Sequence, residues 1–252
     1  MKISFVIPVY NDWKSLEKLI HEIKSNLDSD KWTDITLIIV NDGSNNKFEK
    51  LINNSFNFEI KIVNLISNQG SQKSIYVGLS YLNTLGDIYD YVIVMDSDGE
   101  DKPEDIRKLV DKTIQENKEK IIFASRFKRT ESFTFIFLYN IYKIIFKMLT
   151  GKTFNFGNFS CIPKPLIKNV IDLPFLSSHY AASILSSKIP HDTIPCQKGI
   201  RYAGISKMKI HSLVLHGIKS LLVYYKIIPK KFRIFSYKKL VREVDEVKKI
   251  KI

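Results

Sequence analysis

Cysteine, uninterrupted apolar runs and, at the carboxyl end, acidic charge are what this sequence has least of. Only two cysteines occur in 252 residues, Cys161 and Cys196. They form no CxxC pair, which argues against zinc, and no disulfide framework. With residues 3–7 already reading as a strand rather than a leader, the expected setting is reducing and cytoplasmic, possible contact being with the inner face of a membrane. No stretch offers 18 uncharged apolar residues, so a spanning helix is not expected. Two stretches come near. Lys143 and Lys147 interrupt 133–149, and His216, Lys219 and Lys226 interrupt 213–228. No GxxxxGK[ST] is present, which removes the Walker-type nucleotide hydrolases. From Arg201 onward 14 Lys and Arg face 3 Asp and Glu, against 25 and 23 before it. The net charge of +13 is therefore a property of the tail. Such a tail suits anionic headgroups or phosphorylated substrates.

What is present is an alternating pattern. Apolar runs at 3–7, 35–40, 60–65, 91–95 and 121–124 read as buried strands. Helical spacing over 13–27, 71–85 and 104–117 separates them. Continuous apolar strands between helices predict an α/β fold, a mostly parallel sheet covered on both faces. After Arg126 the pattern loosens into an aromatic-rich amphipathic segment, a polar stretch over 150–160, a helix over 177–187 and a short strand over 193–196. Residues 238–252 fit helix or disorder equally.

Chemistry gathers where strands end. The fourth strand runs into Asp96-Ser97-Asp98-Gly99-Glu100-Asp101. Four carboxylates this close repel one another unless they are solvated or share a cation, and oxygen ligands suit Mg²⁺ or Mn²⁺. Taken alone, the segment serves equally well as a solvated turn before the helix that Pro103 opens. The first strand ends Pro8-Val9-Tyr10-Asn11-Asp12 and the second Asn41-Asp42-Gly43-Ser44. In a parallel sheet these ends share one edge, where open α/β sheets bind ligands. Asn68-Gln69-Gly70 precedes a helix carrying Lys73, a position suited to a phosphate.

Taken together, Pro8 to Asp12, Asn41 to Ser44, Asn68-Gln69-Gly70 and Met95 to Asp98 resemble family 2 glycosyltransferases of the GT-A fold. Asp98-Gly-Glu-Asp-Lys-Pro-Glu104, Ala124-Ser-Arg126-Phe and Arg201-Tyr-Ala-Gly-Ile-Ser-Lys207 are most similar to the polyprenyl-phosphate branch, the dolichol-phosphate mannose synthase-like enzymes. The resemblance implies a GT-A domain over 1–211, followed by an amphipathic helix and basic tail over 212–252. It implies an inverting, metal-dependent transferase acting on a UDP- or GDP-linked nucleotide sugar. Pro8, Tyr10, Asp12 and Asp42 match donor-binding positions. Asp96 and Asp98 match the metal and ribose positions, with Glu100 a further ligand where the branch has Gln. Arg126, Arg201 and Lys207 match residues that face phosphates.

Two departures matter. Asp12 stands where Glu is usual, and Asn158 where relatives carry an Asp. An Asn is no general base. For a sugar acceptor Asp101, Asp172 and His179 are the candidates, whereas a polyprenyl phosphate needs no base. A glycan acceptor and a membrane surface stay open as partners, and no nucleic acid is expected. The alternatives from other classes are a nucleotidyltransferase, disfavoured by Pro-Val-Tyr-Asn-Asp after the first strand, and a non-enzymatic module binding membrane or nucleic acid through its tail.

Overall fold

The computed structural model describes residues 1–27, 31–46, 58–126, 133–203, 210–227 and 239–247. Eight strands form one mixed sheet in the order β7-β5-β6-β4-β1-β2-β3-β8. The strands are β1 (Lys2–Val9), β2 (Asp34–Asn41), β3 (Glu59–Leu65), β4 (Tyr91–Val94), β5 (Ile121–Arg126), β6 (Phe156–Pro163), β7 (His191–Cys196) and β8 (Val241–Val247). The helices are α1 (Trp13–Leu27), α2 (Ser71–Thr84), α3 (Asp105–Gln115), α4 (Phe133–Thr150), α5 (Lys164–Ile171), α6 (Tyr180–Leu185) and α7 (Ile210–Tyr224). The expected α/β architecture is present. β1, β2, β3 and β4 pair in parallel, as do β5 and β7.

Period-two alternation divides the core between the two faces of the sheet. Ile3, Phe5 and Ile7 of β1 pack on one face with Leu16, Leu19, Ile20 and Ile23 of α1 and Ile106, Leu109 and Val110 of α3. Val6 points to the other face, with Ile75 and Leu79 of α2, Ile167 of α5 and Ala181 of α6. The α1 positions 16, 19, 20, 23 and 27, picked out by their spacing, are all buried. Pro8 sits inside β1 without breaking the sheet. Its neighbour β4 pairs only with Ile3 to Val6, so the missing N–H falls beyond that ladder.

Two strands lie where the sequence pattern showed none. β6 begins inside the polar stretch 150–160 and pairs antiparallel with β4 and β5. β8, in the stretch fitting helix or disorder, pairs antiparallel with β3 and closes that edge of the sheet. Simple alternation is absent because the register shifts opposite Asn64 and Leu65, so that Val241 and Val244, three residues apart, both pack on the core. The helix expected over 177–187 is the shorter α6.

The strand order fixes where a ligand fits. The chain runs β1, β2, β3 outward in one direction, then returns by α2 to place β4 on the other side of β1. Between β1 and β4 the direction reverses. The crevice beyond their carboxyl ends is the topological switch point, where open α/β sheets take their ligands.

Candidate active site

Asp12 follows β1 and Asp98 follows β4, so the two carboxylates flank that crevice. Arg201 spans it. Its Nη2 donates to Asp12 Oδ2 at 2.7 Å and its Nη1 to Asp98 Oδ2 at 2.7 Å. The planar guanidinium has the fork that makes two such bonds at once. Arg201 is delivered by a strap, residues 197–203, laid across the Asp98 loop. Gly199 N donates to Glu100 O and Tyr202 N to Asp98 O. Lys198 pairs with Glu100 at 3.0 Å. The Tyr202 ring lies over Gly99, whose φ of +86° and lack of Cβ permit the approach. The Tyr202 hydroxyl donates to Glu22 of α1, tying the strap to the body of the fold.

Inside the loop, Asp98 Oδ1 accepts from Glu100 N at 3.0 Å. Asp101 Oδ2 accepts from Asp96 N at 2.9 Å. Burial pushes the Asp98 carboxyl above its ordinary range; Glu100 and Asp101 push the same way, and Arg201 opposes them. Asp98 is thus a carboxylate that needs a counter-charge, supplied here by Arg201. Carboxylate oxygens are also the donor set a hard divalent ion takes, so Asp96 and Asp98 fit Mg²⁺ or Mn²⁺ in kind. Among the described residues no three acidic, histidine or cysteine side chains converge as a ready-made metal cluster. Glu100, expected as a further ligand, is turned to Lys198.

The other strand ends are braced against one another. Asn11, at φ +51°, donates its N–H to Ser44 Oγ at 2.9 Å, and its Oδ1 accepts from Asn45 N at 2.8 Å. Asp42 is 3% exposed, and its two oxygens accept from Gln69 N at 2.7 Å and Gly70 N at 2.9 Å. Burial raises its pKa in spite of these bonds. Asp42 therefore holds the loop before α2 in place from beneath. Gly43, at φ +69°, passes so close to that loop that a Cβ would sit 2.5 Å from Asn68 N. Tyr10 remains exposed at the crevice rim, and Lys73 Nζ reaches Gln69 Oε1 at 3.0 Å.

The structure therefore brings Pro8, Tyr10, Asp12, Asp42, Lys73, Asp96, Asp98, Glu100 and Arg201 to one sheet edge. Arg126 ends β5, and only its backbone is described. Lys207 lies outside the described residues. Of the three base candidates, Asp101 is 2% exposed and braces the loop, Asp172 is exposed at the end of α5, and His179 is buried with its pKa well below the ordinary value. Asn158 Oδ1 accepts from Gln72 Nε2, and Gln72 Oε1 accepts from Tyr180 N at 2.5 Å. Gln72 and Lys198 were missed at the sequence level. The available signal was their place beside Gly70 and Arg201.

The family model described as "Glycosyl transferase family 2" matches residues 4–168. The chain is 32% identical over 178 residues to an uncharacterized glycosyltransferase of Synechocystis sp., covering 69% of this chain and 54% of that protein. It is 28% identical over 206 residues to undecaprenyl-phosphate 4-deoxy-4-formamido-L-arabinose transferase of Proteus mirabilis, covering 75% and 60%. The chain thus spans a little over half the length of these curated relatives. Among solved structures, glucosyl-3-phosphoglycerate synthase from Mycobacterium tuberculosis, in complex with Mn²⁺, UDP-glucose and phosphoglyceric acid, superposes with a TM-score of 0.65. That match has 16% identity and covers 90% of this chain and 80% of that one.

Proposed function

Because the chain belongs to glycosyl transferase family 2, we propose that it moves a sugar from a UDP- or GDP-linked donor to a polyprenyl phosphate, with inversion. The observation that carries this reading is Arg201 spanning Asp12 and Asp98 across the switch-point crevice. One side of the crevice presents carboxylates, and a strap supplies fixed cations. Expelling a nucleoside diphosphate builds negative charge on the leaving group, which such an arrangement is suited to stabilise. Arg201 and Lys198 supply positive charge from the strap. Asp96 and Asp98 would hold a divalent ion that, when bound, adds positive charge beside the diphosphate, while Glu100 is engaged by Lys198. Asp42 fixes the Gln69–Gly70 turn, and Tyr10 is placed to stack on the base.

An acceptor phosphate oxygen attacks the anomeric carbon as the bond to the diphosphate breaks, and the electron pair leaves with the nucleoside diphosphate. A phosphate acceptor is already ionised near neutral pH. No base is needed, which agrees with Asn158 standing where a carboxylate was expected and with Asp101 serving as a brace. The proposed division remains a catalytic domain over 1–211 and an amphipathic helix with basic tail over 212–252. The tail contributes the edge strand β8.

Contact with a membrane surface belongs to the same proposal. α4 and α7 pack together through Tyr142–Ser220 and Phe146–Tyr224. Away from that contact Ile144, Met148 and Leu149 of α4, and Leu215 and Ile218 of α7, are exposed. Neither helix contains an acidic residue. Lys143, Lys147 and Lys219 lie on them and Lys226 just beyond. This combination fits an anionic lipid surface. Among the described residues no helix is long and apolar enough to cross a membrane.

The test is transfer of radiolabelled sugar from UDP- and GDP-linked donors, with Mn²⁺ and with chelator. Short-chain polyprenyl phosphate in vesicles and a soluble glycan serve as acceptors. Label should enter the organic phase with one donor; label in the glycan alone would replace the lipid acceptor, and label in neither would end the reading.

A further inference from the structure

Away from the carboxylates, four basic side chains from three helices meet at one corner. His179, at the start of α6, is 3% exposed. Its ring stacks on His216 of α7, with centroids 4.2 Å apart and planes at 28°. Phe154 also lies against His179, with centroids 5.8 Å apart and planes at 52°. Lys219, one turn on from His216, and Lys73 of α2 are near enough to act on one another electrostatically. Withdrawal from water lowers the pKa of His179, His216 and Lys219, and the neighbouring basic groups lower them further. Among the described residues no carboxylate pairs with Lys219. Near pH 7 the two histidines, their pKa values lowered, stay neutral, while Lys219 and Lys73 repel one another at this half-covered corner, and an anion among them removes that cost.

The surroundings narrow the anion. Lys73 also reaches Gln69, whose N–H is held by Asp42, so the corner adjoins the donor loop. On its other side Lys219 borders the exposed Leu215, Ile218 and Leu222 of the same helix. A ligand with a small anionic head and an apolar tail fits both borders at once. We propose that Lys219 and His216, with Lys73, recognise the phosphate monoester of the acceptor and bring it to the donor loop. This rests on the transferase reading above, but the phosphate site is tested without turnover. Lys219 reaches the head as a point charge, Lys73 faces it from α2, and His216 offers a ring N–H. His179, stacked beneath, positions the His216 ring.

The experiment is equilibrium binding of two probes to the full chain, inorganic phosphate and farnesyl phosphate in neutral micelles. The native chain should bind both, and Lys219→Gln should weaken binding at least ten-fold. Lys219→Arg should restore most of it, while Lys168→Gln on α5 should change nothing. Tighter binding of farnesyl phosphate identifies a lipid headgroup as the natural source; equal binding identifies a soluble phosphate. No binding by the native chain, or binding indifferent to Lys219→Gln, overturns the proposal. His216→Gln gives a second reading from another residue, checked for folding by circular dichroism. Binding of UDP and GDP to the native chain is measured in parallel. Phosphate binding through Lys219 without nucleotide binding would leave this site standing and remove the transferase reading. Nucleotide binding with a silent Lys219 would do the reverse.

Discussion

The β1/β4 crevice and the α2/α6/α7 corner carry opposite charge and settle it in opposite ways. In the crevice the carboxylates have cations in place: Asp12 and Asp98 share Arg201, and Glu100 has Lys198. Backbone N–H groups complete the set, as Asp42 and Asp98 both show. At the corner His179, His216 and Lys219 are held below their ordinary pKa values, by withdrawal from water first and by neighbouring basic groups second, and no carboxylate among the described residues pairs with Lys219. A charge cluster that satisfies itself can be rigid before its ligand arrives. One that does not waits for a counter-ion from outside. On the proposed reading, the crevice that takes the donor is preorganised and the corner gains its counter-charge only from the acceptor phosphate.

The strongest way to break the contrast is to remove the cation that satisfies the crevice. Arg201→Ala leaves two half-buried carboxylates without their shared partner. Transfer should fall about 10²–10³-fold in steady-state kinetics, the scale of losing a fixed charge at a developing anion. Arg201→Lys should recover only part, because one ammonium does not replace a two-pronged fork. Next in size is the turn beneath the donor loop. Gly43→Ala adds a Cβ 2.5 Å from backbone at a positive φ. It should cost about 2 kcal/mol or more in thermal or urea unfolding, with nucleotide binding weakened in the fraction that stays folded.

The corner is read by pH. The folded pKa values of His179 and His216 lie below the ordinary 6.5, so the unfolded chain takes up protons there that the native chain refuses. Their effect on stability is absent well above pH 6.5 and grows as pH falls below it. Asp42 and Asp98, whose pKa values are raised from 3.8, act in the opposite sense at more acid pH. Between pH 7.5 and 5.5 stability should therefore fall, by about 1 kcal/mol. Saturating phosphate should reduce the loss. A melting temperature flat over that window would contradict the account of the corner. The smallest effect belongs to a pair in neither region. Lys31–Asp111, at 2.5 Å, has both side chains more than a third exposed. Asp111→Asn should change unfolding free energy by less than about 0.5 kcal/mol.

The same contrast marks what the sequence disclosed. The donor half was legible because buried parallel strands are continuous apolar runs and amphipathic helices keep their period; α1 was found residue for residue. Its carboxylates were legible because they cluster at strand ends. The partner of Asp12 and Asp98 was not, since Arg201 is distant in sequence and nothing in Arg201-Tyr-Ala-Gly says which charges it will meet. β6 escaped because the exposed Gly157 and the half-buried Asn158 follow Phe156, so its unbroken buried run starts only at Phe159. β8 escaped because a register shift against β3 puts Val241 and Val244, three residues apart, on one face and so breaks the period of two. The corner escaped for a further reason: His179 and His216 stack only after α6 and α7 pack, and no local spacing relates them.

The central claim is that the β1/β4 crevice takes the donor's diphosphate through Asp98. Calorimetric binding of UDP and GDP to the native chain and to Asp98→Asn, each with Mn²⁺ and with chelator, tests it most directly. Metal-dependent binding of one nucleotide to the native chain, weakened at least ten-fold in Asp98→Asn, is the predicted result. Equal binding by the two proteins, or binding by neither, would contradict it.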